Sequence, residues 1–205
     1  MGCRTVTASG GAAPASGAPA GAAREPAPAA LTGMRQALAY RDSRFVDFQD
    51  FDYPGGRGHG RRWVHIKRFR LPDGSPADRE LLDALIAHPE FRDTYDGAGI
   101  WSEPRHGPWW SDRISSGTYQ SVEASTALST IDAWAAGGAP LPSDLDARLH
   151  AAVRTPVRRA TSRYVLGALP DDAHHDYGPI HTAFHELVLV DRRTRSLALV
   201  VAADD

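Results

Sequence analysis

Two segments in the first third of the chain are rich in aromatic and β-branched residues, a pattern that predicts a β-hairpin. Residues 45–53 place three phenylalanines and a tyrosine among aspartates, and residues 63–71 place tryptophan, valine, isoleucine and phenylalanine among basic side chains. Such enrichment favours strands, and the glycine-rich stretch 54–60 supplies the turn between them. We expect the acidic strand to face the basic strand across the ladder, because opposite charges stabilise cross-strand pairs.

Three segments in the middle of the chain predict helices. The first begins with a serine cap, a proline at the first helical position and a carboxylate across residues 75–78, and it ends near His88 because a proline follows. The second covers residues 125–136, where apolar side chains recur every three to four positions. The third is capped by Ser143 and is expected to end at Pro156.

The last fifty residues are rich in β-branched and leucine residues and predict three more strands. These strands cover residues 159–166, 184–191 and 196–202, with residues 192–195 as the turn of a final hairpin. Strands at both ends and helices between them predict an α+β fold. We expect a mostly antiparallel sheet from the N-terminal and C-terminal strands, with about three helices packed on one face.

The N-terminal segment has a composition that does not fit a folded core. Between residues 8 and 30, nineteen of twenty-three positions are Ala, Gly or Pro, so little apolar surface is present to offset the entropy of ordering. We therefore predict a disordered tail over residues 1–32 and a single α+β domain over residues 33–205. The tail lacks the apolar core of a secretory signal, which favours a cytoplasmic location.

Charge and cysteine content exclude several classes of protein. The chain has 23 basic and 25 acidic residues, a net charge of −2, so no overall field attracts nucleic acid or an anionic membrane. We expect neither as a partner, and the longest apolar run, residues 197–203, is too short to span a bilayer. Cys3 is the only cysteine, which excludes an intrachain disulfide. All basic residues but Lys67 are arginines, and this bias, typical of GC-rich coding DNA, weakens any functional reading of arginine clusters.

The first candidate site is a long segment, residues 93–112, without helix or strand periodicity. Long segments of this kind in compact domains are usually functional or disordered, and three tryptophans argue against disorder. Tryptophan and arginine dominate binding hot spots. The candidate ligand-binding residues are Trp101, Glu103, Arg105, His106, Trp109 and Trp110. The alternative is that these aromatic side chains only cover the end of the sheet.

The second candidate site is the segment 171–186, which is dense in histidine and carboxylate side chains. The catalytic candidates are His174, His175, Asp176, His185 and Glu186, and the metal-ligand candidates are His174, His175, His181 and His185. A metal needs three or four such groups around one point. If His181 belonged to the same strand as His185, the two would lie about 13 Å apart, which is too far to share a metal. The alternative is a solvated polar loop, with His185 half-buried at the start of a strand.

The residue types favour a binding protein over an enzyme, since the chain carries no recognisable nucleophile motif. We therefore predict a cytoplasmic binding module that engages a protein or a small-molecule ligand through the aromatic and arginine-rich loop, with no cofactor. The alternative is a small hydrolase that uses the histidine-rich segment either with a divalent metal or by His and acid catalysis. Whether the two segments share one pocket is left open by the sequence.

Overall fold

A computed structural model describes residues 38–53, 61–74, 76–95, 104–137, 140–176 and 181–204. The strands are β1 (Ala39–Asp47), β2 (Arg62–Arg70), β3 (Arg105–His106), β4 (Trp109–Trp110), β5 (Tyr119–Ser121), β6 (Ser162–Leu166), β7 (Ala183–Asp191) and β8 (Ser196–Asp204). Six of them form one sheet in the order β1-β2-β8-β7-β6-β5, in which every neighbouring pair is antiparallel. β3 and β4 pair separately as a short hairpin. The predicted α+β fold with a mostly antiparallel sheet is confirmed.

The helices connect the two halves of the sheet. They are α1 (Asp78–Ile86), α2 (Ala124–Ala136), α3 (Ser143–Leu149) and α4 (Thr155–Arg159), with a π-helical turn, His150–Arg154, that joins α3 to α4. Short 3₁₀ turns cover Phe48–Asp50, Pro89–Phe91, Ser111–Arg113, Ser116–Thr118 and Asp171–Ala173. No helix among the described residues is long and apolar enough to cross a membrane. The tail 1–32 and the start of the folded domain lie outside the described residues.

The central strands of the sheet, β2, β8 and β7, are covered on both faces. Val64 and Ile66 of β2 pack with α2, α3 and α4, whereas Trp63 and Phe69 of the same strand pack with α1. This division follows from the strand period, since successive side chains point to opposite faces. We call the two sides the three-helix face and the α1 face. The helices therefore do not share one face as we expected, and the reason is visible in β7 and β8, whose near-continuous apolar runs require cover on both sides.

The first hairpin is confirmed, but its first strand lies earlier than predicted. β1 pairs with β2 from Ala39 opposite Arg70 to Asp47 opposite Trp63. The chain then leaves the ladder because the side chain of Asp47 accepts a hydrogen bond from Gln49 N at 2.9 Å and caps a 3₁₀ turn. Of the acidic residues, Asp42 rather than the later aspartates faces a basic side chain, the guanidinium of Arg68, at 2.6 Å.

Two predicted helix boundaries change. α1 begins at Asp78 and is capped by Ala77, whose N–H donates to the Glu80 carboxylate at 2.9 Å, so Pro76 precedes the cap. Ser75, the predicted cap, lies outside the described residues. The third helix does not end at Pro156, because the π turn before it lets Thr155 N–H bond to His150 O, five residues back. The π turn is a rare geometry, and here it ends two residues before Pro156, the residue that lacks an N–H to donate.

Candidate functional site

The described parts of the two candidate segments lie against each other. Trp109 and His174 form an isolated antiparallel bridge. His175 N donates to Pro108 O at 3.2 Å, and His175 Nε2 lies 2.8 Å from Gly107 O. The β3-β4 hairpin is therefore tied to the segment before β7 by backbone and side-chain contacts, and the two candidate sites predicted separately are one region of the molecule.

A cleft of about 550 Å³ opens beside this junction. It is lined by Pro108, Trp109, Asp171, His174, His181, Thr182 and Phe184. His181 lies two residues before β7, in the loop, which is the geometry that allows it to approach His174. The volume falls within the range of small-molecule pockets, and the lining combines aromatic walls with a few polar groups, as such pockets do.

The polar groups of the cleft include both hydrogen-bond donors and acceptors. The ring of His174 lies 4.3 Å from that of Trp109, and its Nδ1 is 3.1 Å from Asp171 O, which a neutral imidazole satisfies by donating from Nδ1. His181 Nε2 lies 3.2 Å from Thr94 O in the same way. Trp109 Nε1 is buried and has no hydrogen-bond partner among the residues that the structure describes. An indole nitrogen can only donate, so a water, a ligand or a group outside the described residues would satisfy this atom by accepting from it.

One glycine holds the hairpin at the wall of the cleft. Gly107, in the turn between β3 and β4, has a φ of +51°, and a Cβ at this position would lie 2.4 Å from Cζ of Phe184. Its N–H donates to Asp93 O at 2.7 Å. The turn therefore needs glycine both for its backbone conformation and for its close approach to an aromatic ring of the cleft.

A buried cluster of three polar side chains, His106, Glu186 and Tyr119, lies behind the hairpin. His106 Nε2 lies 2.5 Å from Glu186 Oε2, and both side chains are 0% exposed. The same carboxylate accepts a hydrogen bond from the Tyr119 hydroxyl, and His106 Nδ1 contacts Phe91 O. Burial, followed by the neighbouring Glu186 carboxylate, raises the pKa of Tyr119 well above its usual range. His106 therefore supports the hairpin from behind, and it does not line the cleft as a ligand-binding candidate would.

A buried ion pair, between Lys67 and Asp93, lies on the same α1 face. Lys67, 2% exposed, donates from Nζ to Asp93 Oδ2 at 2.6 Å and to Glu90 O at 2.7 Å. Tyr95 lies above it, with the ring centroid 5.2 Å from the ammonium, and adopts a φ of +60°. Lys67 lies two residues before buried Phe69, so the alternation of side chains along β2 places it on an inward face, although its neighbours in sequence are charged.

The candidate metal and catalytic residues are separated. His185 lies on the three-helix face, 6.2 Å from the ring of Trp134, while its neighbour Glu186 points to the α1 face. Burial lowers the pKa of His185 below its usual value. Asp176 is exposed. Within the described ranges, no group of three or more His, Cys, Asp or Glu side chains is placed to hold a metal ion.

The remaining ligand-binding candidates lie beside the cleft or outside the described residues. The guanidinium of Arg105 stacks over Trp110 at 5.5 Å, and Trp110 in turn meets the ring of His175 at 5.8 Å. These contacts of Trp110 with Arg105 and His175 help to stabilise the hairpin. Trp101 and Glu103 lie outside the described residues.

Comparisons with known proteins add little to this geometry. No protein-family model matches the chain, and no curated protein matches it in sequence. Among solved structures, citrus MAF1 is similar with a TM-score of 0.35 and 12% sequence identity, over 76% of this chain and 93% of that one. Likeness at this level carries no functional information.

Proposed function

We propose that this protein is a binding module whose cleft, between the β3-β4 hairpin and the described residues 171–176 and 181–182, takes a small planar ligand with a hydrogen-bond acceptor. The observation that carries the proposal is the buried Nε1 of Trp109, which has no partner within the described residues. Leaving such a donor without an acceptor costs about 1–3 kcal/mol, so a ligand that supplies one gains that amount in addition to its apolar contacts.

The lining of the cleft supports a planar ligand in particular. The aromatic rings of Trp109, His174 and Phe184 offer flat surfaces on which a ring can stack at modest entropic cost. Pro108 adds a rigid apolar wall. A concave cleft with these walls favours a small molecule over a flat protein surface, although an extended peptide side chain has the same chemistry.

The hydrolase alternative stays a prediction with less support. Its candidate residues fall on both faces of the sheet, and the histidine and carboxylate that do meet, His106 and Glu186, are fully buried behind the cleft. A general base must come within hydrogen-bond reach of the proton that it removes.

The experiment is calorimetric titration with benzamide, which offers a planar ring and an acceptor oxygen, followed by a screen of related aromatic amides and carboxylates. Trp109→Phe keeps an aromatic wall but removes the donor, so we expect it to weaken binding about tenfold. Trp110→Phe is the matched control, because Trp110 does not line the cleft. Equal affinity in the Trp109→Phe protein would argue against the proposal.

A further inference from the structure

The opposite side of the sheet holds a cavity that none of the preceding chemistry uses. It has a volume of about 280 Å³ and lies between the π turn and α4 above and strands β1, β2, β7 and β8 below. Its floor is apolar, with Ile66, Leu189 and Ala198, and its roof is built from Ala151, Ala152 and Pro156. This volume is close to the lower end of the range for ligand pockets.

The register of the sheet explains why a recess exists here. Arg68 of β2 is opposite Ala198 of β8, and Ala198 is opposite Leu189 of β7. Residues directly opposite each other in an antiparallel ladder point to the same face, so these three side chains form one row under α4. The middle side chain of the row is a single methyl group between two long ones. The recess is thus built by a small residue at a central position of the sheet.

The helix above the recess departs from regular geometry at the same place. Residues 150–154 form the π turn, and two of them, Ala151 and Ala152, line the cavity. Single π turns inside α-helices occur frequently at functional sites, because they shift the helix surface and leave room beside it. Here the turn carries the chain directly into α4, which places Arg159 at the cavity.

The cavity is rimmed by cations. Arg44, Arg68 and Arg159 line it, against one carboxylate, that of Asp191. Asp191 already accepts hydrogen bonds from Arg193 N at 3.0 Å and Arg193 Nε at 3.3 Å. Arg68 is paired with Asp42. In the part of the chain that the structure describes, neither the Arg44 nor the Arg159 side chain has an ion-pair partner.

We propose that this cavity is a second binding site, which takes an amphipathic monocarboxylate with an aliphatic body of medium length. The apolar floor accepts the hydrocarbon, and the guanidinium groups of Arg159 and Arg44 receive the carboxylate, for which arginine offers paired parallel donors. The site is separate from the proposed cleft, since it lies on the three-helix face.

The experiment is calorimetric titration of the full chain with octanoate. We expect saturable binding at one site per chain. Acetate and inorganic phosphate are anions that lack the aliphatic chain of octanoate, and 1-octanol has an aliphatic chain but no negative charge. Each should bind at least about tenfold more weakly than octanoate if both parts of the site are used.

Two substitutions separate the head-group contact from the body contact. Arg159→Gln removes an exposed guanidinium from the rim and should weaken octanoate binding about tenfold, whereas Arg158→Gln, one residue away and outside the lining, should leave it unchanged. Ala198→Leu fills the floor and should abolish binding. Circular dichroism shows whether the Ala198→Leu protein is folded. If that protein is unfolded, the octanoate affinities of the Arg159→Gln and Arg158→Gln proteins still test the proposal.

The proposal is overturned if the wild-type chain fails to bind octanoate at millimolar concentration. It is equally overturned if the Arg159→Gln and Arg158→Gln proteins bind octanoate with the same affinity, or if 1-octanol binds as tightly as octanoate. These outcomes do not depend on the fate of the cleft around Trp109, because none of the variants touches it.

Discussion

His106 and Glu186 meet 2.5 Å apart, between Nε2 and Oε2, in a place where neither side chain reaches solvent. They come from elements eighty residues apart, and the pair joins the β3-β4 hairpin to the centre of the sheet. Since the hairpin forms one wall of the cleft, this buried contact also helps to position Trp109.

Removing the Glu186 carboxylate should therefore lower the free energy of unfolding substantially. Glu186→Ala leaves buried His106 and Tyr119 without their partner, and we expect a loss of about 3–5 kcal/mol in the free energy of unfolding, measured by urea denaturation. Asp172→Ala is the control, because the Arg113–Asp172 pair is exposed on both sides and should change stability by less than about 1 kcal/mol. Similar losses in the two proteins would contradict the role given to Glu186.

The turn at Gly107 gives a second prediction. In Gly107→Ala the new methyl group meets the ring of Phe184, and the positive φ adds strain, so we expect a loss of more than about 2 kcal/mol together with weakened ligand binding. Gly74→Ala is the matched control: its φ is +88°, but none of the described atoms lies within 4 Å of the added Cβ. That protein carries the backbone strain alone and should lose about 1 kcal/mol with unchanged binding.

The third prediction concerns acid stability. Burial and the nearby Lys67 ammonium lower the pKa of His65 to about 4, against the opposing effect of Asp93, from 6.5 when unperturbed. Between these two values the unfolded chain binds a proton that the folded chain does not. The free energy of unfolding should therefore fall as the pH is lowered from 6.5 to 4, by up to about 1.4 kcal/mol per pH unit from this residue.

The measurement is urea denaturation at several pH values between 7 and 4, in wild type and in His65→Gln. The slope should be smaller in the variant than in wild type over this window. The pKa values of His88 and His185 are also lowered, by partial burial, but both residues are present in the two proteins and their effects cancel in the comparison. Equal slopes in wild type and His65→Gln would refute the assignment.

Local patterns predicted the helices and strands well where periodicity was strong, as in α2 and in the final hairpin. They failed where a side chain competed with the ladder, as Asp47 does when it caps a turn, and where a π turn carried the helix past Pro156. Segment composition singled out both candidate loops, and their role in binding stays a prediction. The contact between His174 and Trp109 could not be predicted from the sequence, since it depends on how two segments that are distant in the chain pack together.

The sequence did not predict the buried contact between Glu186 and His106, for a related reason. Glu186 was considered together with His185 because they are adjacent in sequence, yet a strand sends adjacent side chains to opposite faces. Its true partner, His106, comes from the other candidate segment. Alternation along β7 was the signal available for separating His185 from Glu186, whereas nothing in the sequence paired Glu186 with His106.

The most direct test of the account is the indole N–H resonance of Trp109 in a two-dimensional ¹H–¹⁵N spectrum, assigned by its loss in Trp109→Phe and followed during titration with benzamide. If Trp109 Nε1 donates to a ligand in the cleft, this resonance should shift progressively and saturate, while the indole resonances of Trp134 and Trp110 move little. A spectrum in which the Trp109 resonance stays fixed at saturating benzamide, and at saturation with every aromatic amide and carboxylate of the screen, would contradict the proposed binding site.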